Sequence, residues 1–313
     1  MTSNLSERIA LPPDLETTAV VSPPTEANGF TIDVSSDRRV DIEGKQARVA
    51  TLLRDIGRDG LLLLEPENVT WFTAGATARG ILTPAEAPVV YCTPEARWLI
   101  TGNADTARMF DEELDGMGFQ LKEWPWHWGR DQFLADLCNG RKVACDLPTG
   151  PNLPGDFQPV ADQLRTIRRV LTRYDQACLL ALGQLLAHAL EATCRTLQRN
   201  DTEREAAGHL AHRLMHRGAV PIHIGVAADG RSRTYRRFGY TATPIERYAV
   251  LVATARKYGL HATASRTVSF GEPPDDLKAE QNASIRVSAS YLSSTWPEAV
   301  PPRCWPPDGG SIS

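Results

Sequence analysis

Several things are missing from this sequence, and each absence excludes a class of protein. No uninterrupted apolar run approaches the roughly 18–20 residues of a membrane span. No basic stretch followed by an apolar one opens the chain, so nothing reads as a secretory signal. Cys92, Cys138, Cys145, Cys178, Cys194 and Cys304 form no C-x-x-C pair. That argues against a disulfide framework or a zinc knuckle and for reduced thiols in a cytoplasmic protein. The sequence contains no H-E-x-x-H, no G-x-S-x-G, and neither of the glycine-rich phosphate loops G-x-x-x-x-G-K-[ST] and G-x-G-x-x-G. Excess charge is missing too. A net charge of −4 and a pI near 6.0 give no overall drive toward nucleic acid or an anionic membrane.

What is present is an ordinary globular composition, 42% hydrophobic and 23% charged, over 313 residues, a length that favours two domains. Residues 1–40 are rich in Pro, Thr and Glu and read as a disordered leader, with too little apolar surface to offset the entropy of ordering. Order is expected from Asp41. Ile42, Val49, Leu52, Leu53 and Ile56 have helical spacing, and "LLLLEP" is short, wholly apolar and bounded by turns, as a buried strand would be. "APVVYCT", "ARWLITG", "FQLKEW" and "KVACD" read as strands, and "NADTARMFDEELDGMG" and "RDQFLADLCNG" as helices, which together make a compact α/β domain. "LPTGPNLPGDFQP" reads as a loop at its end, and "PVADQLRTIRRVLTRYDQA" as a bridge to the second half.

A long helix is expected from about Asp175 to Gln198, with Leu179, Leu182, Leu186, Leu190, Thr193 and Leu197 on one stripe. Thr202 and Glu205 form a capping box for a second helix, which Gly218 ends. "AVPIHIGVAADGRSRTYRRF" reads as strand, tight Asp229-Gly230 turn and second strand. "RYAVLVATARKYG" and "LHATASRTVSFG" give another strand pair. Beyond Pro274 the pattern weakens into a helical start that drifts into serine-rich sequence. Residues 291–313 read as a disordered, proline-rich tail.

Four features carry candidate chemistry, each with a plainer alternative. His209, His212 and His216 share one helix face and could hold zinc with an added carboxylate, but the same spacing describes a polar stripe opposite Leu210 and Leu214. His223 reads as a satisfied structural histidine. Trp124, Trp126 and Trp128 could line a stacking pocket, or form a core edge or subunit interface. Arg231, Arg233, Arg236 and Arg237 could bind an anion or carboxylate, or make a solvated hairpin.

The second half resembles the pita-bread metallopeptidases: Xaa-Pro aminopeptidases, prolidases and creatinase. "LRTIRRVLTRYDQACLLALGQLLAHALEA" and "TEREAAGHLAHRLMHRGA" look like the first two helices of that fold, and "RYAVLVATARKYGLHATASRTVSFG" like its ligand-bearing strand pair. Residues 41–165 are similar to the creatinase-type N-terminal domain, with "EPENVTWFTAG" the best local match. The resemblance implies an α+β chain: a mixed α/β N-terminal domain, then an incomplete pita-bread domain over 166–290. It also implies a homodimer through the N-terminal domain and a peptide ligand.

Active members hold two divalent metals (manganese, cobalt or zinc) with two Asp, one His and two Glu, and the metals activate a bridging water. On this sequence the first Asp falls on Val252 and the second on Thr263, while a pocket His falls on Arg237. Gly259, Arg266, Thr267 and Gly271 keep their places. The remaining ligands belong to the second half of the fold, and the residues after Gly271 do not look like it.

The implied protein lacks the dinuclear site and is silent as a peptidase, with no cofactor. A shifted or clipped reading frame would explain the loss of pattern near Asn282, and the unpaired strand edges left behind would be an aggregation hazard. Three alternatives stand beside it. One is a peptide-binding scaffold using Arg237, Arg266 and the tryptophans. The others are a hydrolase with its metal relocated to His209, His212 and His216, and Xaa-Pro aminopeptidase activity kept in a fuller-length form.

Overall fold

A computed structural model describes residues 34–77 and 87–294. The described residues fall into two compact units, the first within Met1–Leu185 and Arg256–His261, the second within Leu186–Ala255 and Ala262–Ser313. Most of the leader, residues 1–33, lies outside the described residues, as does the tail from 295.

The first unit is built on a six-stranded mixed sheet. In chain order its elements are α1 (Val34–Ile56), β1 (Gly60–Leu63), α2 (Pro66–Phe72), β2 (Val89–Cys92), β3 (Arg97–Gly102), α3 (Thr106–Arg108), β4 (Gln120–Trp124), α4 (Arg130–Cys138), β5 (Lys142–Cys145), β6 (Asp156–Pro159) and α5 (Ala161–Arg168). The strand order is β4-β3-β2-β1-β5-β6. The central β1 pairs antiparallel with β2 and parallel with β5.

Two-residue periodicity explains the four-leucine run, because each face of the sheet takes alternate side chains. Leu61, Leu63, Val90, Cys92, Leu99 and Ala144 enter one core with Ile42, Val49 and Leu53 of α1. Leu62, Leu64, Val89, Tyr91, Ile100 and Val143 enter the other with Leu134 and Cys138 of α4. A strand buried on both faces must be apolar at every position.

Several boundaries differ from the sequence reading. The first helix begins at Val34, one to two turns before Asp41. The proline-rich loop contains the edge strand β6, which pairs parallel with β5 from Lys142↔Asp156 to Cys145↔Pro159. The helix expected after Asn103 is only Thr106–Arg108 followed by a π-helical turn, Met109–Glu113.

Buried in this unit is Lys45, with Nζ 2.6 Å from Asp41 Oδ2 and 3.1 Å from Asp175 Oδ1. It also lies 5.8 Å from the centre of the Trp71 ring. A buried ammonium is tolerated only with such partners.

The second unit contains the C-terminal part of α6 (Arg173–Thr196), then α7 (Glu203–His216), β7 (Val220–Ala228), α8 (Arg231–Thr234), most of β8 (Tyr248–Lys257) and β9 (Leu260–Ser269), and α9 (Asp275–Ser294). The strands form an antiparallel sheet in the order β7-β8-β9. Leu182, Leu186, Leu190, Thr193 and Leu197 are buried as the stripe requires, whereas Leu179 is half-buried. By length and composition α6 could cross a membrane, but half of its most apolar stretch is already buried inside the protein, as in a core helix. The capping box forms as expected: Glu205 N donates to Thr202 Oγ1 and Thr202 N to Glu205 Oε2.

Two expectations fail here. No second strand follows the Asp229-Gly230 turn; residues 231–234 wind into α8 and residues 235–243 cross as an irregular loop. Beyond Pro274 the chain does not drift but continues as the twenty-residue helix α9, anchored where Asp276 and Glu280 pair with Arg233.

The tip of the β8–β9 hairpin belongs to the first unit and lies against the end of α2. Tyr258 and Gly259 both have positive φ, at 56° and 74°. A Cβ on Gly259 would come 2.7 Å from Thr70 Cγ2 and 3.1 Å from Gly75 Cα; one on Gly75 (φ 105°) would come 2.6 Å from the Tyr258 carbonyl carbon. Each glycine is therefore required twice, for its left-handed backbone and for the close approach. Gly259→Ala and Gly75→Ala should each lower stability by about 2–3 kcal/mol in urea unfolding, combining backbone strain with overpacking. Gly57→Ala (φ 65°, nothing within 4 Å of the added carbon) should cost only about 1–2 kcal/mol.

Candidate functional site

On β8, Ala249, Leu251, Ala253 and Ala255 are buried, while Val252 and Thr254 point to the other, open face. On β9 the exposed set is His261, Thr263, Ser265 and Thr267. Thr254 faces Thr263 across the pair, and their hydroxyls share a hydrogen bond of 2.9 Å. Val252 and Thr263 thus lie on one face of adjacent strands, yet the donors present are hydroxyls bonded to each other and a hydrocarbon. Beside them Gly225 of β7 permits close packing. A Cβ there would meet Val252 Cγ1 at 2.8 Å, Phe238 O at 2.6 Å and Phe238 Cδ2 at 3.0 Å. Apolar contact closes over the side of Val252.

Strand parity separates the two arginines that the sequence offered as ligand contacts. Arg266 lies three positions from Thr263, hence on the opposite face, where Nη2 donates to Glu191 Oε1 of α6 at 2.7 Å. Arg237 sits in the 235–243 loop, exposed and without an ion pair or hydrogen bond among the described residues.

That loop is held by a group the sequence reading passed over. Glu203, fully buried at the first turn of α7, accepts hydrogen bonds from Ala228 N (2.8 Å), Arg231 Nε and Nη2 (2.7 and 2.8 Å), and Thr241 N and Oγ1 (both 2.7 Å). Arg231 Nη2 donates further to the carbonyls of Val226 and Gly239. This drawing of Arg231 onto Glu203 is why a helical turn replaces the expected strand. Asp229 performs the same service at the far end, accepting from the amides of Glu246, Arg247 and Tyr248. Burial alone would raise the Glu203 pKa, but the Arg231 bonds and the donated amides outweigh it and hold the carboxyl below its ordinary value.

The remaining candidates are scattered. His209, His212 and His216 are exposed; the rings of His212 and His216 stack with centroids 6.0 Å apart. Among the described residues no group of three or more His, Cys, Asp or Glu is placed to hold a metal ion. His223 is exposed rather than a satisfied structural residue. The tryptophans divide: Trp124 is buried in the first unit's core, whereas Trp126 and Trp128 are 71% and 75% exposed. Burial pushes the Cys92 thiol up to about 12 and those of Cys138, Cys145, Cys178 and Cys194 up to about 11, which removes the thiolate a nucleophile needs.

No family model matches the sequence, and no curated protein matches it. Solved structures do. An X-Pro aminopeptidase from Thermotoga maritima superposes with a TM-score of 0.66 at 19% identity, over 79% of this chain and 71% of that one. A prolidase from Pyrococcus horikoshii gives 0.64 at 16% identity, over 81% and 73%. An Xaa-Pro dipeptidase from Bacillus anthracis gives 0.61 at 18%, over 80% and 71%. The chain has the fold of the Xaa-Pro peptidases. The α+β architecture that the resemblance implied, a mixed-sheet unit followed by a pita-bread-type one, is the one observed. The dinuclear metal centre implied with that fold does not suit the residues at Val252 and Thr263: valine has no lone pair to give, and the Thr263 hydroxyl is engaged by Thr254.

Because the folded Glu203 pKa lies below the ordinary 4.5, its stabilisation is complete above that value and is lost as pH falls through the folded pKa. Urea unfolding should therefore weaken as pH falls below about 4.5, and Glu203→Gln should flatten that acid limb while costing about 3 kcal/mol at neutral pH.

Proposed function

We propose that this chain is a catalytically silent homologue of the Xaa-Pro metallopeptidases, with a creatinase-like N-terminal domain over 41–165 and a partial pita-bread domain over 166–290. It works by binding rather than by hydrolysis. One observation carries the reading: Val252 and Thr263, where the resemblance puts the two strand carboxylates, offer a hydrocarbon and a hydroxyl, and the hydroxyl pair Thr254–Thr263 satisfies itself at 2.9 Å. Two carboxylates on one face of adjacent strands repel each other unless cations neutralise them; their replacement by a hydrocarbon and a hydroxyl removes both the repulsion and the means of binding metal.

A cytoplasmic setting, a homodimer through the N-terminal domain and a peptide ligand belong to the same reading. The unpaired cysteines among the described residues (Cys92, Cys138, Cys145 and Cys178 buried, Cys194 half-buried) accord with the first and the exposed Trp126 and Trp128 with the second.

Purified protein should leave Xaa-Pro dipeptides uncleaved with manganese, cobalt or zinc supplied. Cleavage that a chelator abolishes would overturn the reading. Zinc bound in stoichiometric amount and lost on His212→Ala would favour a relocated centre instead. The double variant Val252→Asp/Thr263→Asp should be destabilised by about 1 kcal/mol in chelator, because it sets two like charges at neighbouring positions on one face of the strand pair without counterions.

A further inference from the structure

The loop between α8 and β8 has a composition and a setting that the fold itself does not explain. From Gly230 to Ile245 there is no acidic residue. Of its four arginines, Arg231 is spent on Glu203 and Arg233 on Asp276 and Glu280. Arg236 and Arg237 are exposed and make no ion pair or hydrogen bond among the described residues. On either side of them Tyr235 and Tyr240 are 54% and 51% exposed.

The segment is also held in place. Arg204 N donates to Thr241 O and Glu203 N to Thr243 O, both at 3.0 Å, and Val226 N donates to Gly239 O at 3.0 Å. Glu203 fixes Thr241 from within the core. A loop ordered in advance loses little entropy when a ligand arrives, and tyrosine and arginine are the side chains that carry most binding energy at interfaces.

We infer that residues 235–240 form a recognition surface for a short acidic peptide segment, with Arg236 and Arg237 receiving its carboxylates and Tyr235 and Tyr240 its apolar side chains. The surrounding charge sets the length. The positive island is bounded by Glu246 on one side and, through Arg233, by Asp276 and Glu280 of α9 on the other. A long polyanion such as a single-stranded nucleic acid would have to run past those carboxylates, whereas a segment with two or three acidic side chains would not. Phe238 of this segment and Val252 both approach Gly225, so the surface adjoins the Val252 side of the sheet and deepens the binding reading above; it does not depend on whether the chain hydrolyses peptides.

The test uses the whole chain and a capped, fluorescein-labelled hexapeptide of alternating glutamate and leucine, with a lysine–leucine peptide and a single-stranded oligonucleotide for comparison. Anisotropy should report binding of the glutamate peptide that weakens as salt is raised, and none of the lysine peptide. Arg236→Ala and Arg237→Ala should each weaken it about tenfold and Tyr235→Ala about threefold, while Arg165→Ala on α5 leaves it unchanged. Circular dichroism and melting midpoints should match the parent protein, since the replaced side chains are exposed. Failure to bind the glutamate peptide, equal binding of the lysine peptide, tighter binding of the oligonucleotide, or unchanged affinity in Arg236→Glu/Arg237→Glu would each overturn the assignment.

Discussion

A divalent cation gives up its water only to donors that replace it, anionic oxygens above all. On the open face of β8 and β9 those donors are absent: a valine packs beside Phe238, and two threonine hydroxyls bond each other. The strand pair keeps the shape that would present ligands, and the chemistry at its surface is that of a quiet β-sheet. Hydroxyl and methyl groups suit a half-open pleated face, so nothing about the substitution strains the fold. The fold of the Xaa-Pro peptidases is thereby present with no carboxylate on this face of β8 and β9.

Charge has instead been concentrated at Glu203. A fully buried carboxylate costs several kcal/mol unless its lone pairs are filled, and here five donated hydrogen bonds fill them. The consequence is local order: one carboxylate ties the end of β7, the helical turn α8 and the 235–243 loop to the first turn of α7. The loop that carries Arg236 and Arg237 is therefore part of the framework, and the backbone from which they project is held by hydrogen bonds at Gly239, Thr241 and Thr243.

Much of the architecture was legible in the sequence because it follows from short-range rules. The four-leucine run, the stripe on α6, the capping box at Thr202 and the turn at Asp229-Gly230 each state their structure within a few residues. The misses are long-range. Nothing near Glu203 announces that it will meet Arg231, 28 positions away, and that pairing decides why no strand follows the turn. Lys45 gains its second partner, Asp175, across 130 positions. The edge strand β6 hides in a proline-rich stretch because only one side of it must pair. At the candidate site, the sequence placed Val252 and Thr263 by resemblance, but it could not show that Thr254 would occupy the Thr263 hydroxyl or that parity would send Arg266 to Glu191.

The most direct test of a carboxylate-free face is a manganese(II) titration followed by electron paramagnetic resonance. The six-line signal of the free ion should keep its full intensity as chelator-treated protein is added. Loss of that signal in stoichiometric proportion to the protein, restored by chelator and abolished by Thr263→Ala, would place a metal where the structure has a hydroxyl pair and would contradict the account.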